Sequence, residues 1–146
     1  VEDWPHNKAA PALDLADLEG RPWSLAQARG KIVLLNFWAT WCEPCRNEMP
    51  ALAQLARDQA DDLVVVAVNY QETAARVQRF LESVDVPRPI LLDPHGAAAR
   101  AWTRRIFPTT VVVDPRGRPA RVVVGEYDWL AADARALLDA VRRRRA

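Results

Sequence analysis

Lys31-Ile32-Val33-Leu34-Leu35-Asn36-Phe37-Trp38 runs straight into Ala39-Thr40-Trp41-Cys42-Glu43-Pro44-Cys45-Arg46. The first stretch is apolar almost throughout, the pattern of a strand buried on both faces of a sheet. The second predicts a helix opening near Cys42 and running to about Gln59, bent at Pro50, because proline removes an intrahelical hydrogen bond. A thiol placed where a strand ends and a helix begins faces unpaired backbone N–H groups and the positive end of the helix dipole. Both favour the thiolate, which is the nucleophile of disulfide exchange. Pro44 falls in the first turn, where its missing N–H costs nothing. Residues i and i+3 share a helix face, so Cys45 can close a disulfide on Cys42. The roles that follow are attack by Cys42 and resolution of the mixed disulfide by Cys45. Two cysteines can also meet as inert core. The strand before the pair, the helix after it and the adjoining Trp41 favour the redox reading.

Upstream, Pro5, Pro11, Gly20 and Pro22 break a weak alternation at Leu13, Leu15 and Leu18. Residues 1–30 therefore read as an irregular N-terminal extension with a short hairpin about Glu19-Gly20-Arg21. Downstream, residues 63–69 form a second buried strand. Thr73 is a good N-cap for a helix whose Val77, Phe80, Leu81 and Val84 fall on one face. Residues 89–92 predict a short strand, 94–102 a short helix and 109–113 a strand. Asp114-Pro115-Arg116-Gly117 makes a turn, and residues 118–124 return as the partner strand. An amphipathic helix carrying Leu130, Ala134, Leu137, Leu138 and Val141 closes the chain. Strand–helix units followed by a hairpin and a helix predict an α/β sandwich with a mixed central sheet, one domain over residues 1–146.

The chain has 146 residues, half of them hydrophobic, enough to bury a substantial core. A net charge of +1 points to no nucleic-acid partner. Lys8 and Lys31 are the only lysines among the 20 basic residues, a bias that suits a GC-rich genome better than a binding surface. The run Arg142-Arg143-Arg144-Arg145 is expected to be a frayed, solvated terminus that complements the last helix dipole. Two cysteines are too few for a disulfide-stapled scaffold or a four-cysteine zinc site. His6 and His95 lack ligand-spaced partners and are expected at the surface, so no metal site and no cofactor beyond the dithiol itself are expected. Trp38 is expected in the core, and Trp4, Trp23, Trp102 and Trp129 in packing. Apolar runs are strand-length and too short to span a bilayer. The first residue is Val1, which leaves room for a signal peptide or membrane anchor upstream.

Phe37-Trp38-Ala39-Thr40-Trp41-Cys42-Glu43-Pro44-Cys45-Arg46 resembles the active-site segment of thioredoxin-like proteins, specifically the TlpA/ResA-like branch. The resemblance covers roughly residues 32–129. It implies a thioredoxin-like α/β/α sandwich with a mixed central sheet, an N-terminal extension and an extra strand–helix insertion before a cis-proline loop. Ile106-Phe107-Pro108-Thr109-Thr110 resembles that loop, and the long stretch between Cys45 and Pro108 has room for the insertion. Trp41, Glu43, Pro44, Phe107, Pro108 and Thr109 are expected on the substrate side, Glu43 facing solvent and modulating the thiol pKa or partner choice; by the same resemblance the Phe107 backbone pairs the substrate's extended chain. In thioredoxin a buried Asp on the strand before the motif moves protons for the second cysteine; Asn36 stands there and cannot ionise. Asn69-Tyr70-Gln71-Glu72 resembles the segment that carries an active-site glutamate in ResA-like proteins, which transfers that role to Glu72. A solvated Glu leading a helix is the other reading. A peroxiredoxin would carry Pro and Thr where Leu35 and Ala39 stand.

The branch implies an extracytoplasmic dithiol reductant of protein disulfides, periplasmic or tethered to the membrane. Apocytochrome c is the substrate it suggests, with a membrane thiol–electron donor and a monomeric state. A general protein-disulfide reductant or oxidant, or a redox-silent thioredoxin-fold binding module, remain alternatives.

Overall fold

The computed structural model describes residues 1–145. In chain order the elements are β1 (Glu2–Asp3), β2 (Asp14–Ala16), β3 (Pro22–Ser24), a 3-10 turn (Leu25–Ala28), β4 (Ile32–Trp38), α1 (Glu43–Asp58), β5 (Leu63–Tyr70), α2 (Ala74–Phe80), β6 (Ile90–Asp93), α3 (Ala97–Trp102), β7 (Thr109–Val113), β8 (Pro119–Val124), α4 (Ala132–Arg142) and a last 3-10 turn (Arg143–Arg145). Six strands form the main sheet in the order β1-β8-β7-β4-β5-β6. β4, β5 and β6 run parallel, while β7, β8 and β1 join antiparallel. This is the mixed sheet that the pattern of elements predicts.

Alternation along β4 divides the core in two. Ile32, Leu34 and Trp38 pack on one face with residues of α1, α2 and α4, among them Met49, Val77 and Leu138. Val33, Leu35 and Phe37 point the other way, towards Ala98 and Trp102 of α3 and Trp4 and Leu13 of the N-terminal segment. Burial on both sides explains why the strand reads as an apolar run. Each such Leu, Val or Phe contributes ~1.5–3 kcal/mol. Leu35 and Ala39, which stand where a peroxiredoxin needs Pro and Thr, are buried apolar side chains.

Several details depart from expectation. The N-terminal segment holds the predicted hairpin, β2 against β3. It also adds β1 to the edge of the main sheet, paired with β8 through Glu2↔Val122 and Asp3↔Arg121. At the opposite edge, Asp17 bridges Leu91, and the Leu18 N–H bonds the Ile90 carbonyl at 2.8 Å. A two-residue strand is too short to show in a sequence pattern. α2 ends at Phe80, so Leu81 and Val84 pack on the core from the following turns. Leu130 precedes α4 and is exposed. The arginine tail is not merely solvated: Arg142 pairs with Asp62 and Asp139, and Arg144 with Asp114. The Arg145 side chain lies outside the described residues. Trp23 is half-buried, while the other three tryptophans assigned to packing are buried. Both histidines are exposed.

Register sets the active end. Trp38 pairs with Asn69, and Phe37 with Thr109. The carboxyl ends of β4 and β5 and the start of β7 therefore lie together, the place where α/β sheets gather functional groups. Two strands and two helices, β5, α2, β6 and α3, separate the dithiol from Pro108, as the predicted insertion requires.

A candidate redox site at the head of α1

Cys42 is the N-cap of α1, with extended backbone, and its sulfur accepts the Cys45 N–H at 3.3 Å. Pro44 sits in the first turn of that helix. Cys42 and Cys45 are joined as a disulfide, with Cα atoms 5.3 Å apart. Cys42 is 5% exposed and Cys45 wholly buried. The first cysteine is thus the more accessible, although far less open than a surface thiol. Glu43 and Pro44 face solvent.

Around the pair stands an aromatic wall. Trp41 is 61% exposed, and its ring meets Phe107 edge-on at 6.1 Å between centroids. Tyr70, at the end of β5, lies 4.8 Å from the same Phe107 ring. The Phe107–Pro108 bond is cis, as the loop's resemblance implies, and Pro108 and Thr109 are buried behind it. A second cis bond, Arg88–Pro89, was not expected. The Thr109 hydroxyl donates to the Ile106 carbonyl at 2.5 Å, closing the loop on itself.

Glu72 lies at this end of the sheet, its side chain 11% exposed. Its carboxylate accepts the Thr40 N–H at 2.8 Å, the Thr40 hydroxyl at 2.5 Å and the Asn69 amide at 2.9 Å. Arg76 approaches at 3.6 Å. Glu72 thereby ties the end of β5 to the turn that carries Trp41 and Cys42.

A second acid is deeper and was not singled out in the sequence. Glu48 follows Cys45 by one helical turn and is 2% exposed. It accepts the Tyr127 N–H at 2.8 Å, the Trp129 indole at 3.2 Å and the Asn36 amide at 3.3 Å. Burial pushes its carboxyl up to about 7, outweighing the lowering by those three donors; the charge of Glu126 adds a smaller upward push. Asn36 also donates to Thr110 at 3.0 Å, next to the cis-proline loop, and its own Oδ1 is buried with no hydrogen-bond partner. The signal was legible: Cys45, Glu48, Met49 and Leu52 share one buried helix face, and a lone carboxylate there has a function or a cost.

The arrangement can host dithiol–disulfide exchange: a cystine at a helix N-terminus, an aromatic and cis-proline surface beside it, and a buried acid behind. The family profile described as AhpC/TSA matches residues 6–119. The chain is 44% identical over 119 residues to the thioredoxin-like protein YneN of Bacillus subtilis, covering 80% of this chain and 69% of that one. It is 38% identical over 117 residues to the thiol-disulfide oxidoreductase ResA of the same organism, covering 80% and 65%. The chain thus spans about two thirds of the length of these relatives. Among solved structures, a thiol:disulfide interchange protein of the thioredoxin family from Chlorobium tepidum superposes with a TM-score of 0.78 at 26% identity, over 92% of this chain and 95% of that one. A DsbF homologue from Corynebacterium diphtheriae superposes with a TM-score of 0.76 at 28% identity, over 97% and 90%. The sheet order and covered faces described above are accordingly those of a thioredoxin-like fold. The chain belongs to the AhpC/TSA family and is a thiol–disulfide oxidoreductase of the ResA type.

Proposed function

We propose that this protein is an extracytoplasmic dithiol reductant of protein disulfides, acting in cytochrome c maturation. The observation that carries the reductant reading is Cys42 at the N-cap of α1 with buried Cys45 and Glu48 behind it. The location and the apocytochrome c substrate are supported by the resemblance of residues 37–46 to the TlpA/ResA-like branch. No helix among the described residues is long and apolar enough to cross a membrane.

In the reduced protein, Cys42 is the thiolate, stabilised by the backbone N–H groups at the head of α1. It attacks one sulfur of the substrate cystine; that S–S bond breaks, and the other substrate sulfur leaves as a thiolate and takes a proton. Cys45 then gives up its proton and attacks the Cys42 sulfur, releasing the second substrate thiolate. The products are a substrate dithiol and the Cys42–Cys45 disulfide, two electrons having passed to the substrate. A membrane thiol donor restores the dithiol, which is itself the redox group. In this reading Glu48, buried one helical turn beyond Cys45, takes the Cys45 proton, the role that the sequence assigns to Glu72. Glu72 instead acts as a positioning residue through Thr40. Trp41, Phe107, Pro108 and Thr109 receive the substrate chain, and Glu43 and Pro44 form the exposed rim. The protein works as a monomer in this reading.

The test is partner trapping in cells with Cys45→Ala, which forms the mixed disulfide and cannot resolve it. Recovery of apocytochrome c through Cys42 is the expected result. Recovery of unrelated disulfide proteins would make it a general reductant, and failure to trap or to reduce insulin would make it redox-silent.

A further inference from the structure

A cleft of about 240 Å³ opens beside the dithiol, lined by Thr40, Arg46, Arg76, Arg79 and Phe80. Several arginines elsewhere meet carboxylates, among them Arg21 with Asp17, Arg57 with Asp85, Arg104 with Glu2 and Arg121 with Asp3. In the cleft only Arg76 meets one, Glu72 at 3.6 Å, and that acid is already held by Thr40 and Asn69. The Arg46 guanidinium lies 5.9 Å from the Phe80 ring centroid. Neither Arg46 nor Arg79 has a carboxylate partner among the described residues, and both are exposed. The one unpaired acid of the adjoining groove is Glu43, since Asp85 there is taken by Arg57. Three guanidinium groups thus share one cleft whose lining residues include no carboxylate. Stacking on an aromatic face holds a guanidinium while leaving its N–H edge free for a carboxylate.

Position gives the cleft its meaning. Arg46 follows Cys45 directly, and Thr40 lies in the turn that leads to Cys42. We propose that this cleft docks an acidic segment of the disulfide-bearing partner protein, Asp or Glu carboxylates seating on Arg46 and Arg79 while the partner's cystine lies at Cys42. The proposal rests on the reading that protein disulfides are the substrates, and adds which ones are preferred. Charge complementarity of this kind speeds encounter, fixes register and rejects basic partners.

The experiment uses two labelled peptides of equal length that differ only in Glu or Gln at the flanking positions. Each is made with a disulfide for kinetics and with Ser in place of Cys for equilibrium binding. At low salt the wild-type protein is expected to bind the Glu peptide about tenfold more tightly than the Gln peptide, with the preference fading at high salt. Arg46→Gln/Arg79→Gln is expected to abolish the preference, and Arg79→Lys, which keeps the charge, to retain most of it. Wild-type protein blind to the flanking residues, or a preference that survives the double substitution, would overturn the proposal. So would displacement of the Glu peptide by inorganic phosphate at comparable affinity, which marks a small-anion site. The two readings separate cleanly. A protein that discriminates the Ser peptides through these arginines but reduces neither disulfide keeps the docking and loses the redox function; one that reduces both equally does the reverse.

Discussion

Asn36 donates its side-chain amide to Glu48 at 3.3 Å, so the strand that leads into the dithiol is tied to the helix that carries it. The same amide reaches Thr110 at 3.0 Å, which brings the cis-proline loop into one buried network with the acid. Beside the strand position that holds a carboxyl in thioredoxin, a buried carboxyl thus stands one layer over, on α1.

Glu48 makes stability depend on pH in a definite direction. Its folded-state value of about 7 lies above the ordinary 4.5, so between those limits the native state holds a proton that the unfolded chain has released. Stability is then expected to fall as pH rises through that window, by about 3 kcal/mol from this group. Glu48→Gln is expected to flatten the dependence, its amide oxygen still accepting from Tyr127 and Trp129. Denaturant midpoints of the oxidised protein from pH 4.5 to 8 give the answer; equal slopes for both proteins would exclude Glu48 as the source.

The exposure difference between the two cysteines predicts their order of reaction. Alkylation of the reduced protein at mildly acid pH is expected to modify Cys42 well before Cys45, whose sulfur lies wholly inside. Peptide mapping after a short pulse reads the ratio directly, and equal labelling would reverse the assignment of attacking and resolving thiols.

Removing the Glu72 carboxylate leaves the Thr40 N–H and hydroxyl, both part-buried, without their acceptor. Glu72→Ala is expected to cost on the order of 1–3 kcal/mol, the penalty for stranding such donors. Glu72→Gln keeps one acceptor and is expected to recover most of it. A purely structural role would leave the pH profile of disulfide reduction unmoved in Glu72→Gln; displacement of that profile is the result expected of a residue that positions the Cys42 turn.

Trp41 is mostly in solvent, so Trp41→Ala is expected to change stability little. Its loss takes away the edge-on partner of Phe107 and a large apolar contact for substrate. KM for a protein disulfide is expected to rise several-fold, with kcat near wild type. A fall in kcat at unchanged KM would show that Trp41 acts on the chemistry and not on docking.

Much of this was legible in the sequence because local rules and the global fold agree. β4 could be read from its apolar run, α1 from Cys42 and Pro44, and the β7–β8 turn from Asp114 and Gly117, whose N–H bonds the Asp114 carbonyl. What escaped depends on contacts between distant residues. The apolar face that Glu48 shares with Met49 and Leu52 flags it, but its partners Tyr127 and Trp129 belong to a later segment that closes over it only in the fold. The grip of Glu72 on Thr40 likewise exists only because parallel pairing aligns the ends of β4 and β5. Helix ends were the least certain, as for α2, where tertiary packing continues past Phe80 after the helix has stopped.

The N-terminal segment touches both margins of the sheet: β1 lies along β8, and Asp17 and Leu18 lie along β6. Between these points Trp4 and Leu13 pack over the face that α3 covers. An open strand margin is a template on which another chain can add itself, a hazard for a protein whose substrates are disulfide-bearing chains. One stretch of the molecule's own backbone thus covers part of each margin. Loosening that belt would expose both margins in one event, leaving edges on which a disulfide-bearing substrate chain could add itself as a strand.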